Sequence, residues 1–169
     1  MSDLLPCLSL PLWEKNVVLP TAAVAEIIPY EETQSVTDVP SWFVGILTWR
    51  GIHIPLVYLE RMDSFFSWNG STDRPFKDEK SQGYIAIINR IKAENQGKQK
   101  YQFFSFVLRG VPKLYRLAKD GIRLIAEKPE DDSRYLMQVK ILNEIAFIPD
   151  LANLWAIIDT LPPRLQWFK

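Results

Sequence analysis

The sequence predicts a mainly β protein made of two small barrels or sandwiches. Three observations predict it: about nine or ten short apolar runs bounded by turn residues, only two candidate helices, and one long polar break, residues 63–82 (DSFFSWNGSTDRPFKDEKSQ).

The elements follow in chain order. CLSLPLWEKNVVLP holds two apolar runs around a polar turn at Glu14, Lys15 and Asn16, which is the pattern of a hairpin. PTAAVAEII is rich in alanine and opens with Pro20 and Thr21, so a short helix near residue 22 is expected, entered at the threonine and stopped by Pro29. The acidic, polar stretch from Tyr30 to Pro40 reads as a surface loop. From Trp42 to Leu59 the residues are β-branched, aromatic or leucine, interrupted by Gly45 and by Arg50-Gly51; two strands with a turn or bulge at the Arg-Gly step are expected. Pro55 removes a ladder donor and predicts an edge or an irregularity. After the break, where Asn69-Gly70 and Pro75 supply turn chemistry, YIAIINRI reads as a buried strand, KAENQGKQK as a polar hairpin loop and YQFFSFVLRGV as the returning strand. LYRLAKDGIRLIAEKP mixes apolar and basic residues around an Asp120-Gly121 turn. LMQVKI alternates with period two, LNE turns and IAFIP returns, which makes a final hairpin. Asp150 then caps a C-terminal helix whose Leu151, Leu154, Trp155 and Ile158 recur at helical spacing, with Pro162 and Pro163 ending it.

Composition bounds the partners. The 169 residues can bury one substantial core, or two lobes sharing one. A formal net charge of zero gives the molecule no global field for nucleic acid or anionic lipid. The charge is unevenly spread: residues 1–75 hold 4 Lys/Arg against 9 Asp/Glu, a balance of −5, and residues 76–169 balance it at +5. Two lobes with different faces for partners suit that split. Cys7, the one cysteine, excludes an internal disulfide, and no basic cluster or second thiol lies near it in sequence to activate it. The start MSDLLPCLSL carries an acid where a signal peptide needs basic residues, and no uncharged apolar run reaches membrane-spanning length. The chain is therefore expected in the cytoplasm and not embedded in a membrane.

Chemistry is scarce. His53 is the lone histidine, so any nucleophilic triad or proton shuttle would have to use it. A His/Cys metal site lacks ligands, neither GxGxxG nor GxxxxGK[ST] occurs, and no cofactor is expected. The carboxylate pairs Glu31-Glu32 and Asp131-Asp132 lie in hydrophilic loops. Missing motifs do not exclude an enzyme, which would have to use His53, but a non-catalytic binding role is the expectation they favour. A β-barrel that binds single-stranded nucleic acid is the alternative, because Lys98, Lys100, Tyr101, Phe103 and Phe104 put aromatics beside basic residues, with Arg109, Lys113, Arg116, Lys119 and Arg123 following. Against it, Phe104 and Phe106 fit one face of a strand, and Glu94 and Asp120 interrupt the basic run.

AVAEIIPY followed by WFVGILTWRGIHIPLVYLE, with Glu26 and Arg50 separated by 24 positions, resembles the CheW-like domain of bacterial chemosensory signalling. That family shows a V-x-E-[VI] element and then a W-x-x-G-[IV]-x-N-x-R-G-x-x-[IVL]-P-[IVL] block. LSLPLWEKNVVLP, FFSFVLRGVPKLYRL and LMQVKILNEIAFIPDLANLW resemble its opening hairpin, a second-lobe strand, and its closing hairpin and helix, so the resemblance covers most of residues 4–160. It implies two SH3-like five-stranded barrels around a shared core in a single domain spanning residues 1–169. The first lobe is expected over about 15–65 and the second over about 83–148, with the N-terminal strand and C-terminal helix completing them.

The function implied is a non-catalytic adaptor, cytoplasmic and recruited to membrane-associated receptor arrays. It would couple a methyl-accepting chemoreceptor tip to the regulatory domain of a CheA-type histidine kinase. By resemblance, Arg50 falls on the family's Arg before Gly and Glu26 on its helix-end glutamate, two groups that pair across the first barrel. Val24, Gly45, Gly51 and Leu114 fall on the receptor-facing groove or its support. The sequence also departs from the family pattern. Thr48-Trp49 replaces Asn-Leu before Arg-Gly, Tyr58 stands where Asp is common, and Arg109 replaces the acid of V-D-x-V. The Trp-Arg-Gly variant is similar to accessory ChpC-type proteins of type IV pilus chemosensory systems, which implies a place in a twitching-motility pathway.

Overall fold

The computed structural model describes residues 3–13, 15–34, 36, 39–62, 83–90, 101–129 and 132–161. The polar break 63–82, the loop at 91–100, Glu14, Asp131 and the prolines at 162 and 163 lie outside the described residues. The described residues form β1 (Leu5–Pro11), β2 (Asn16–Pro20), β3 (Val24–Pro29), β4 (Phe43–Trp49), β5 (Ile52–Val57), β6 (Tyr84–Asn89), β7 (Phe103–Leu108), β8 (Lys113–Leu117), β9 (Ile122–Glu127), β10 (Tyr135–Ile141), β11 (Glu144–Pro149) and α1 (Leu151–Ile158). They build a six-stranded sheet, β8-β1-β2-β11-β10-β9, and a five-stranded sheet, β3-β6-β7-β5-β4.

Sheet membership does not run in chain order. β1 and β2 join β8–β11, whereas β6 and β7, which fall within the span expected for the second lobe, pair with β3 and β5. The physical consequence is visible in the apolar pattern. Along β6, Ile85 and Ile87 face a cluster inside the five-stranded sheet, and Ala86 and Ile88 face the core shared between the sheets. Both faces are buried, so the strand reads as an unbroken apolar run instead of an alternating one. Leu10, Val17, Leu19 and Phe147 of the six-stranded sheet meet Phe104, Phe106 and Leu108 of the other, together with Leu154, Trp155 and Ile158 of α1, in that shared core. A third cluster, with Cys7, Val18, Val139 and Ile141, fills the inside of the six-stranded sheet.

Local signals explain most of the elements. The β1–β2 and β10–β11 hairpins form where expected. The Asp150 carboxylate accepts the backbone N–H of Asn153 at 3.1 Å and caps α1. Arg50-Gly51 closes the β4–β5 hairpin with φ of 49° and 75°, the paired positive values of a two-residue type I′ turn.

One expectation is corrected and one is narrowed. The helix near residue 22 is a single 3-10 turn, Thr21–Ala23, preceded by Pro20 and without a side-chain cap; Val24–Pro29, expected to continue it, is β3. Pairing of Val24, Ile27 and Ile28 with β6 outweighs the helix propensity of a few alanines. Of the two settings expected for Pro55, an edge or an irregularity, the second is found: β5 is flanked by β4 and β7, and the β4–β5 register shifts beside Pro55. The parallel ladder to β7 begins only at Leu56, and the Pro55 carbonyl accepts a hydrogen bond from the buried Ser105 hydroxyl at 2.9 Å. The missing donor therefore falls where the ladder does not need it.

Candidate functional site

Glu26 lies on β3, one edge of the five-stranded sheet, and Arg50 follows β4, the other edge. A β-bulge between Val24 and Glu26 decides where the carboxylate points. Val24 opposes Ile88 on the shared-core side, whereas Glu26 opposes Ile87, whose side chain faces the interior of the five-stranded sheet. Without the bulge, alternation would send Glu26 the same way as Val24. With it, the carboxylate reaches the barrel mouth where Trp49 and Arg50 stand. Glu26 is thus on a strand, which corrects its expected place at a helix end.

The expected Glu26–Arg50 ion pair is present but long, at 3.5 Å between Oε2 and a guanidinium nitrogen, with Arg50 68% exposed. The same Oε2 accepts the indole N–H of Trp49 at 2.5 Å. Trp49 is buried in the barrel cluster, with Phe103 edge-on at 5.1 Å and the Arg50 guanidinium 4.8 Å above its ring centre. An exposed ion pair contributes about 0–1 kcal/mol. A buried indole N–H left without an acceptor costs about 1–3 kcal/mol. On magnitudes, the stronger half of this triad is the Trp49–Glu26 bond. In the sequence Trp49 stands out only as a departure from the family pattern; the signal that marks it is its place in a strand whose neighbours Leu47 and Val44 also face the barrel interior.

The remaining candidates lie on separate elements, Leu114 on β8, Val24 on β3, Gly45 on β4 and Gly51 in the β4–β5 turn. Leu114 on β8 opposes Leu8 of β1, and opposed residues share a face. Leu8 packs partly buried against the shared core, as does Val24, while Leu114 extends that face to the surface at 59% exposure. Gly45 is buried and offers no contact surface. A Cβ there would approach the Gln34 carbonyl to 2.6 Å, so glycine lets the chain at 33–34 cross β4. Gly51 is exposed with φ of 75°; a Cβ added to it would meet nothing within 4 Å, and the residue serves the turn.

Elsewhere the groups are arranged for stability. His53 shares a 3.0 Å hydrogen bond with Thr48 on the exposed face of the hairpin. Burial pushes the Cys7 thiol up and keeps it protonated. Glu144 accepts from Lys113 at 2.7 Å and from the Tyr115 hydroxyl at 3.0 Å; these bonds hold its carboxyl below the ordinary value and raise the lysine. Among the described residues no group of three His, Cys, Asp or Glu could hold a metal, and no helix is long and apolar enough to cross a membrane. Tyr101, Phe104 and Phe106 are buried, so none presents a ring face to a base, and Lys98 and Lys100 lie outside the described residues.

Comparison with known proteins agrees with this fold. No curated protein matches the sequence. Among solved structures, the scaffolding protein TtCheW from Thermoanaerobacter tengcongensis superposes with a TM-score of 0.63 at 17% identity, covering 89% of this chain and 90% of that one. The sequence pattern of the CheW-like domain matches residues 6–158, nearly the whole of both sheets and all of α1. The chain belongs to the CheW-like domain family.

Proposed function

We propose that this protein is a non-catalytic chemosensory adaptor that joins a chemoreceptor's cytoplasmic tip to the regulatory domain of a CheA-type histidine kinase. It acts in the cytoplasm, at membrane-associated receptor arrays. The observation that carries this reading is the apolar margin at Leu8 and Leu114, where the core-facing side of β1 runs out to the surface on β8 within a CheW-like domain. A receptor tip is a helical hairpin, and such a margin takes up one apolar helix face. Val24 and Leu114 are the contact residues of this reading, Glu26, Arg50 and Gly51 shape the barrel mouth, and Gly45 supports β4 by letting Gln34 pair with Ile46.

A second interface is supported by the edge strand β9, where Leu124 and Ile125 stay exposed and offer that side of the six-stranded sheet to a kinase domain of similar fold. Trp49 before Arg50-Gly51 further supports an accessory role in a type IV pilus pathway.

Purified chain, a receptor-tip fragment and the kinase regulatory domain from the same cell test the reading by titration. The wild type is expected to bind both, and Leu114→Glu to lose the receptor tip by at least tenfold while keeping the kinase domain. Absence of binding to both partners overturns the proposal. Retention on single-stranded DNA that falls steeply with salt would instead favour the nucleic-acid alternative.

A further inference from the structure

We infer that Trp49, not Arg50, is the internal partner of Glu26, and that Trp49 thereby holds Arg50 outward as an anchor for a carboxylate on the docking partner. The anchor half of this inference rests on the adaptor reading above; the internal half does not.

The two strands involved are the edges of the five-stranded sheet, which has no backbone ladder between β3 and β4. Among the described residues, chain following β3 bridges to β4 where Gln34 meets Ile46. At the other end of β4, the closure is made by side chains, the Trp49 indole donating to Glu26 across the seam at 2.5 Å. The bulge in β3 and the indole in β4 both serve that bond: one turns the carboxylate toward the barrel and the other, on a ring packed in the barrel cluster, supplies the donor.

Arg50 is placed differently. It occupies the first loop position of a type I′ turn at φ of 49°, where asparagine, aspartate or glycine would sit with less strain. Its guanidinium stands 3.5 Å from a carboxylate oxygen already engaged by Trp49, and its side chain is 68% exposed. The indole face beneath it, at 4.8 Å, fixes its direction without using its N–H donors. A guanidinium oriented by a stacked ring, mostly exposed and only loosely paired with Glu26, suits bidentate capture of a carboxylate. The chemistry therefore points to an aspartate or glutamate of the docking helix.

Five variants separate this arrangement from an internal Glu–Arg pair: Trp49→Phe, Glu26→Ala, Glu26→Gln, Arg50→Ala and the Trp49→Phe/Glu26→Ala double. Glutamine can still accept the indole N–H but cannot neutralise an arginine. Urea unfolding of the purified chain is expected to show lowered midpoints for Trp49→Phe and Glu26→Ala, with the double variant no worse than the lower single one. Glu26→Gln and Arg50→Ala should unfold close to the wild type. Titration with the receptor-tip fragment should show Arg50→Ala binding at least tenfold more weakly, with Arg50→Lys intermediate. The internal half is overturned if Glu26→Gln falls as far as Glu26→Ala, or if Arg50→Ala lowers the midpoint as much as either. The anchor half is overturned if Arg50→Ala binds as the wild type does. If the wild type binds no receptor tip at all, the adaptor reading and the anchor half fall together, while the unfolding series still decides the internal half.

Discussion

Arg90 shows how much one buried cation does in this protein. Its side chain, 4% exposed, donates twice to Asp159 at 3.0 and 2.5 Å and once to the Tyr101 carbonyl at 2.9 Å, and it stacks 4.4 Å from the Trp155 ring centre. It thus ties the end of β6 to the last turn of α1. Arg90→Lys keeps the charge but loses the planar fork and the stack, so a stability loss of about 1.5–3 kcal/mol is expected in urea unfolding. Asp132 is the residue with a pH signature. Burial pushes its carboxyl up, but the hydrogen bonds and charge of Arg134 outweigh burial and hold it below the ordinary value. Because the folded-state pKa is depressed, its stabilisation is fully present above about pH 4 and is lost as pH falls through the folded value. The fall in urea midpoint below about pH 4 is expected to be shallower in Asp132→Asn than in the wild type; equal slopes would contradict this assignment. Neither pair was legible in the sequence: Arg90 and Asp159 lie 69 positions apart and only folding makes them neighbours, while Asp132 and Arg134 sit close together in a stretch that reads as a solvated loop.

Elements were legible to the extent that their signals are local. Both terminal hairpins, the Arg-Gly turn and the Asp150-capped helix carry their instructions within a few residues, and all four form as expected. Val24–Pro29 does not, because what makes it a strand is β6, some sixty positions downstream. The bulge that turns Glu26 toward Trp49 is likewise a property of that pairing. Gly45 gives the element scale its test. Gln34 and Ile46 exchange backbone hydrogen bonds of 3.2 and 3.1 Å directly beside it. Gly45→Ala forces the Gln34 segment away and should cost roughly 1–3 kcal/mol. Faster amide exchange at Ile46 is the accompanying measurement, and an unchanged Ile46 rate would show that the crossing tolerates the extra carbon.

At the scale of the whole molecule, the shared core decides behaviour. It draws on both sheets and α1, so neither sheet has a complete hydrophobic interior alone. Thermal unfolding is expected to be a single transition, with near-ultraviolet and far-ultraviolet circular dichroism coinciding. A fragment ending at Met62 carries β1 and β2 without their partners β8 and β11, and β3 to β5 without β6 and β7, and should not fold. Two separated transitions in the full chain would contradict the shared core.

The sequence by itself determined the mainly β class, the turns, the capped helix and the scarcity of catalytic groups, since each rests on residues close together or on a recognisable pattern. Only the tertiary structure decided which strands share a sheet, that Leu114 prolongs the core face of β1, and that Trp49 takes the carboxylate oxygen nearest Arg50. The physical reason is that apolar strands buried on both faces carry no alternation to say which face meets which core. A hydrogen bond across a barrel seam depends on a bulge that no local propensity specifies.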